Sequence, residues 1–303
     1  MDVSIIIVNY NTKNLTLQCI DSIYEKTIGV SFEIIIVDNN STDGSQELLS
    51  QDNRIVFVEA GENLGFGKAN NLGVEKSNGK FIFFLNSDTI LVNNAIKCFY
   101  DYSINHQQLK LGAIGCLLEN RDGEKVHSYG FFPTKHSLFT NYIKAGFRLI
   151  FHKTKKPVGY SIDSDEEKVD YVTGADIFVD RNVIDNYGGF DPDFFMYFED
   201  TEMQYRWAHH GLANIIITSP RIIHLEGCST NNKKKILNER KLYMCMRSQQ
   251  LYFMKTESVL GYFIYRMLSF ISLLPVLRGK YNLHQINNIC KILFCRNSKK
   301  TSI

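Results

Sequence analysis

The sequence predicts an α/β fold, with a mostly parallel central sheet flanked by helices and a helical C-terminal tail. Three observations predict it. Short unbroken apolar runs alternate with helical stretches through the first 115 residues, as strands buried on both faces do. A polar cluster follows each run, at the carboxyl end of a strand, where such sheets bind ligands. A further apolar, helix-length stretch with basic residues closes the chain.

The elements follow in order. Residues 3–8 read as a first strand. Residues 15–24 place Leu15, Ile20, Ile23 and Tyr24 at the spacing of one helix face. Residues 32–37 form a second buried strand. A helix over 45–49 starts behind the Asn/Ser/Asp cluster, where Asn40-Ser41-Thr42-Asp43-Gly44 supplies a tight turn and an N-cap. Residues 55–59 read as a third strand, 67–76 as a helix and 81–85 as a fourth strand. Residues 117–170 are less regular, with a turn at Asn120-Arg121-Asp122-Gly123 and a charged loop over 163–168. Order returns with a strand at 177–179, a helix over 201–210 stopped by Gly211, and a strand at 215–218. One domain over 1–253, in two halves (1–115 and 116–253), accounts for this pattern. A basic, aromatic tail over 254–303 follows.

Composition narrows the class. The chain has 303 residues, 44% hydrophobic and 22% charged, as ordinary globular proteins have. The net charge of +2 gives no argument for nucleic acid. The basic residues concentrate in the last third, including Lys233-Lys234-Lys235, Lys255, Arg266, Arg278, Lys280 and Lys299-Lys300, which suits an anionic membrane surface. Seven scattered cysteines without a CxxC pair suggest neither a disulfide framework nor a zinc site, and point to a reducing cytosol. The opening run of four apolar residues, Ile5 to Val8, is too short for a signal-peptide core. Within the tail, residues 259–277 approach bilayer-spanning length, but Arg266 and Pro275 interrupt them. Two readings stay open there: an amphipathic segment in the membrane interface, or a helix packed on the domain.

Four strand-end clusters carry the chemistry: Asn9-Tyr10-Asn11, Asp38-Asn39-Asn40, Glu62-Asn63 and Asn86-Ser87-Asp88. Asp38, at the exit of a buried strand, can accept hydrogen bonds from a base edge or a ribose, whereas Asp43 reads as a turn and cap residue. Gly65 and Gly67 let the backbone approach a ligand closely, and Lys68 on the first helical turn can meet a phosphate. Asp88 offers an anionic oxygen and Asn86 an amide; Mg²⁺ and Mn²⁺ take few protein ligands when a diphosphate supplies the rest. In Phe195-Met196-Tyr197-Phe198-Glu199-Asp200-Thr201-Glu202, acids adjoin an aromatic run. Aromatic surroundings bind sugar faces and raise a carboxyl pKa by desolvation, which suits a general base. Asp200 at that junction is the candidate, while Glu202 fits an ordinary acidic helix start. His224 is a strand-end histidine that can pair with Asp88 on a metal.

The ordered set SIIIVNYN, VDNNSTDGS, NLGFGKANNLG, LNSDT, GADIFVDR, GGFDPDFFMYFEDTE and HLEGCST resembles the inverting family-2 nucleotide-sugar glycosyltransferases of the GT-A fold, in particular their bacterial rhamnosyltransferase-like branch. The resemblance runs from Val3 to about Phe253, and implies a nucleotide-binding half over 1–115 and an acceptor-binding, catalytic half over 116–253. It implies a Rossmann-like GT-A sheet and a metal-dependent transfer from a dTDP- or UDP-linked sugar to a glycan or lipid-linked glycan. The implied donor-binding set is Tyr10, Asp38, Asn63, Gly65, Lys68, Asn86 and Asp88, with Arg247 from a basic element at 240–247. Asp38 would contact the base, Asp88 and His224 would hold Mn²⁺ or Mg²⁺, and Asp200 would activate the acceptor. The one departure is Asn86, where the family's DxD element begins with Asp. The implied setting is surface polysaccharide synthesis at the inner face of a bacterial cell membrane, with no nucleic-acid partner. A homo-oligomer is possible.

Two other enzyme classes are disfavoured by the loop after the first strand. Nucleotidyltransferases and NAD-dependent oxidoreductases need a glycine-rich loop there, and Asn9-Tyr10-Asn11-Thr12-Lys13 contains none. A catalytically inactive scaffold of the same fold would be expected to lack Asp88 or Asp200, and both are present.

Overall fold

The computed structural model describes residues 1–134, 137, 140, 162–225, 239–280 and 283–294. Residues 226–230 of the HLEGCST motif and the lysines at 233–235 lie outside the described residues. The chain forms two compact units: Met1–Phe132, Gly159–Phe195 and Glu199–Lys234 make the first, and Pro133–Val158, Met196–Phe198 and Lys235–Ile303 the second.

The first unit is built on an eight-stranded sheet in the order β3-β2-β1-β4-β10-β6-β11-β8. Its strands are β1 (Val3–Asn9), β2 (Phe32–Asp38), β3 (Val56–Glu59), β4 (Phe81–Leu85), β6 (Leu111–Cys116), β8 (Glu166–Val169), β10 (Asp176–Asp180) and β11 (Ala213–Ile217). The pairs β1–β2, β1–β4, β2–β3 and β6–β11 are parallel, while β10 runs antiparallel to β4 and β6, so the sheet is mixed but mostly parallel. Smaller ladders pair β5 (Thr89–Leu91) with β12 (Ile222–His224) and β7 (Tyr129–Gly130) with β9 (Tyr171–Val172).

Alternation along the strands divides the core between two faces. Val3, Ile5 and Ile7 of β1 and Phe81, Phe83 and Leu85 of β4 pack beneath α1 (Lys13–Lys26) and α4 (Ala95–Asn105). On the other face Ile6, Ile82 and Phe84 meet Met203 and Trp207 of α6 (Glu199–His209) and Val183 and Ile184 of α5 (Arg181–Tyr187). Every one of these β1 and β4 side chains is buried, which explains why the strands read as unbroken apolar runs. The helix α3 (Phe66–Glu75) lies close on β1 and β2 because Gly73 faces them; a Cβ there would stand 2.4 Å from the Ile6 side chain. A short helix α2 (Ser45–Leu49) completes the unit's N-terminal half.

The charged stretch over 163–168, expected as a loop, is corrected by the structure: it enters β8, which pairs antiparallel with β11 through Ile217↔Glu166 and Asn214↔Val169. The strand lies at the sheet edge with Glu166, Glu167 and Lys168 exposed, and edge strands carry charge to avoid pairing with other chains. That composition disguised it.

The second unit contains α7 (Glu239–Thr256), α8 (Val259–Lys280) and α9 (Leu283–Phe294). Ile289 and Leu293 of α9 pack against Leu242, Tyr243 and Met246 of α7 and Phe270 of α8. The Tyr265 ring stacks on Phe253 with centroids 4.2 Å apart. The helix α7 runs through residue 253, where the sequence suggested that the tail begins. Among the described residues no helix is long and apolar enough to cross a membrane.

Candidate active site

The parallel registers bring the strand ends to one level. Asn9 pairs with Asp38, and Asp38 with Glu59, so β1, β2 and β3 end side by side. The backbone ladder then continues one step past the strands, from Asn39 N–H to Asn9 O and from Ala60 N–H to Asp38 O. The four polar clusters therefore sit at the carboxyl edge of the sheet.

A buried network holds these loops. The Asn9 amide donates to Asp38 Oδ1 (2.7 Å) and to Ser41 Oγ (3.0 Å), and its oxygen accepts from Thr12 and Thr16 hydroxyls. Asp38 is fully buried, and its other oxygen accepts from Ser41 N–H (3.0 Å) and the Gln46 amide (2.8 Å). Thr12 lies 3.0 Å from the Ser87 hydroxyl, tying the β1 exit to the Asn86–Asp88 element. Asp43 accepts from Lys13 N–H (3.0 Å) at the start of α1 and from Ser45 at the start of α2, the turn-and-cap role expected of it.

The glycine cluster is braced similarly. Asn39 donates to Asn63 Oδ1 (3.0 Å), which also accepts from Gly65 N–H (3.0 Å). Gly65 has φ +82°, and a Cβ there would lie 2.2 Å from the Phe195 carbonyl oxygen, so only glycine fits. That carbonyl accepts from Phe66 N–H, joining α3 to the loop before α6. Lys68 stands exposed on the first turn of α3, and Tyr10 is exposed beside the β1 exit.

Asp88 and His224 meet although 136 positions separate them. The β5–β12 ladder pairs His224 with Thr89, and Leu225 N–H donates to the Asp88 carbonyl. His224 Nε2 then lies 3.3 Å from Asp88 Oδ1 and 3.4 Å from the Asn86 side-chain nitrogen. Two ligands about 2.1 Å from an octahedral cation and at right angles stand about 3 Å apart, so the carboxylate and imidazole fit a shared Mn²⁺ or Mg²⁺. Among the described residues no three His, Cys, Asp or Glu side chains converge to hold a metal.

Asp200 occupies the first turn of α6. Its Oδ2 accepts from Gly174 N–H (2.8 Å), and its Oδ1 accepts from the backbone and hydroxyl of Thr201. Burial pushes its carboxyl above the ordinary range, and these donors partly offset the shift. The next residue after Gly174, Ala175, accepts from Asn86 N–H at 3.0 Å. A single step of backbone therefore touches both Asp200 and the Asn86–Asp88 element. Just before α6, Tyr197 and Phe198 hold φ of +70° and +66°, a conformation that costs bulky residues about 1–2 kcal/mol each. Glu202 pairs with Arg206 one turn on, an ordinary helix contact. Arg247 is exposed on α7 of the second unit.

Sequence reasoning placed Asn9 in a strand-end cluster without giving it a role, and gave none to His127 or Asp176. Asn9 organises the strand-end network. His127 acts electrostatically on Asp200, tending to lower its pKa. Asp176, fully buried at the start of β10, accepts from Cys116 N–H (2.7 Å), while its Oδ1 has no hydrogen-bond partner among the described residues. Burial raises its pKa to about 7, and nearby His224 tends to lower it. Asn9 and Asp176 do carry a signal in the sequence: Asn9 ends one apolar run and Asp176 begins another.

Comparison with known proteins agrees with this fold. The family model "Glycosyl transferase family 2" matches residues 4–153. A curated relative, the low-salt glycan biosynthesis hexosyltransferase Agl10 of Haloferax volcanii, is 28% identical over 209 residues, covering 68% of this chain and 61% of that protein. The N-acetylglucosaminyl-diphospho-decaprenol L-rhamnosyltransferase of Mycobacterium tuberculosis is 24% identical, covering 65% of this chain and 67% of its own length. The chain spans less than two thirds of the Haloferax protein and a smaller share of several longer relatives. Among solved structures, the mannosyltransferase PcManGT of Pyrobaculum calidifontis, in complex with GDP-Man and Mn²⁺, superposes with a TM-score of 0.55 at 14% identity, over 95% of this chain and 78% of that one. With its motifs set at the strand ends of a GT-A sheet, the chain matches glycosyl transferase family 2 over residues 4–153.

Proposed function

We propose that the protein is an inverting glycosyltransferase moving a sugar, rhamnose first among candidates, from a dTDP- or UDP-linked donor to a hydroxyl of a glycan or lipid-linked glycan. The observation that carries this reading is the Gly174-Ala175 step, which holds Asp200 and the Asn86–Asp88 element next to each other. A base for the acceptor and a group for the donor diphosphate are thereby adjacent, as a single displacement requires. The matched rhamnosyltransferase and hexosyltransferase support the class of sugar.

In this reading Tyr10, Asn63, Gly65 and Lys68 line the donor's place, and Asp38 shapes it from beneath. Asp200, its carboxyl made more basic by burial, takes the proton from the acceptor hydroxyl as that oxygen attacks the anomeric carbon. Attack from the face opposite the leaving diphosphate inverts the configuration. Asp88 and His224 would hold Mn²⁺ or Mg²⁺, which when bound offsets charge on the leaving diphosphate. We place the reaction in bacterial surface polysaccharide synthesis, at the inner face of the cell membrane.

The test is Asp200→Asn, which keeps the side chain's shape and removes the base. Turnover is expected to fall by about 10³-fold while donor affinity stays within about twofold. Near-normal turnover in the variant would remove Asp200 from its role.

A further inference from the structure

The helix α8 wears its sides inside out. Gly261, Tyr265 and Ser269, four residues apart, form its buried edge, with Tyr265 and Ser269 only 2% and 3% exposed. That edge is the one packed within the unit, where Tyr265 stacks on Phe253 and the Gln250 amide donates to the Tyr262 hydroxyl (2.8 Å). The other side carries Leu260, Phe263, Ile264, Met267 and Ile271 at helical spacing, with Leu260 68%, Phe263 59% and Ile271 50% exposed, and Val259 at its head 89% exposed. A helix in water turns its apolar stripe to the core. Five large apolar side chains in a row, facing outward, form a surface built to be covered.

The charge of the surrounding segment selects what covers it. Residues 235–303 carry twelve Lys and Arg against two Asp and Glu. Lys255 is exposed one turn before the stripe begins, and Arg266, within the helix, lies over the Tyr262 ring and donates to the Leu293 carbonyl. A second copy of the chain would bring two such basic segments together. An anionic lipid surface takes both the apolar stripe and the charge.

We infer that the outward face of α8, from Leu260 to Ile271, is a membrane-docking surface that lies in the interface of an anionic bilayer. This rests on the placement of the reaction at a membrane and is independent of the donor chemistry. The test is cosedimentation of the full chain with phosphatidylcholine vesicles, with and without about 30% phosphatidylglycerol. The comparison protein carries Leu260→Ser, Phe263→Ser and Ile264→Ser, three changes on an exposed face. The expected result is binding to the anionic vesicles that falls about tenfold or more in the variant, with thermal unfolding and nucleotide binding unchanged. Three outcomes would overturn the assignment: no sedimentation of the wild type with anionic vesicles, equal binding by the variant, or a wild-type dimer that the three changes convert to monomer. Because nucleotide binding is read in the same samples, loss of the docking surface and failure of the glycosyltransferase reading give different results.

Discussion

The sheet-bearing unit and the C-terminal helices break the usual partition of side chains in opposite directions. At the strand ends, polar groups are buried: Asn9, Asp38, Asn39 and Asp176 are each 3% exposed or less. On α8, apolar groups are exposed instead. Their charges oppose as well, with 22 Lys and Arg against 30 Asp and Glu over residues 1–234, and 12 against 2 over 235–303. Each arrangement is costly in isolation, since buried polar groups must be paired and exposed apolar stripes invite association. Asn9, Asp38 and Asn39 meet that cost through hydrogen bonds with neighbouring strand-end groups. The helix face has no such internal solution among the described residues. A precise network marks a site that positions something small; an uncompensated face marks a surface for something extended.

Substitutions sharpen the contrast. Gly65→Ala should act most strongly on the fold, because it combines φ of +82° with a Cβ 2.2 Å from a carbonyl oxygen. A loss of about 3 kcal/mol in denaturant unfolding is expected. Asn9→Ala removes the hub of the polar network, leaving Asp38, Ser41, Thr12 and Thr16 each short of a partner. About 2 kcal/mol is expected by the same measurement, and a change near zero would show that the network is incidental. Asp176→Asn acts through pH dependence. The folded pKa of Asp176, about 7, lies above the ordinary 3.8, so the folded state holds the proton more tightly than the unfolded one. Stability from this group is full at low pH and is lost as pH rises from the ordinary carboxyl range to about 7. An amide in place of the carboxyl should flatten that part of the stability–pH curve, measured in the presence of a chelator.

How much of this was legible in the sequence differs between the regions. The strands β1, β2 and β4 showed themselves because burial on both faces leaves only apolar residues. The strand β8 did not, because an edge strand tolerates Glu-Glu-Lys. The ladder of β5 with β12 is three residues on each side, too short for periodicity to register, yet it brings His224 to Asp88. Asp38 was conspicuous as an acid at a strand exit, but spacing could not reveal that Asn9, Ser41 and Gln46 already occupy it. The apolar length of α8 was visible, whereas the side it turns outward depends on which residues α7 and α9 cover.

The central claim is that the strand-end crevice is a nucleotide-sugar donor site with Asp88 at its diphosphate end. The direct measurement is isothermal titration of the protein and of Asp88→Ala with UDP, dTDP and their sugars, with and without Mn²⁺. The account predicts that one nucleotide binds, that Mn²⁺ strengthens binding, and that the substitution weakens it by about tenfold or more. Absence of binding to a folded protein, or binding indifferent to both Mn²⁺ and the substitution, would contradict it.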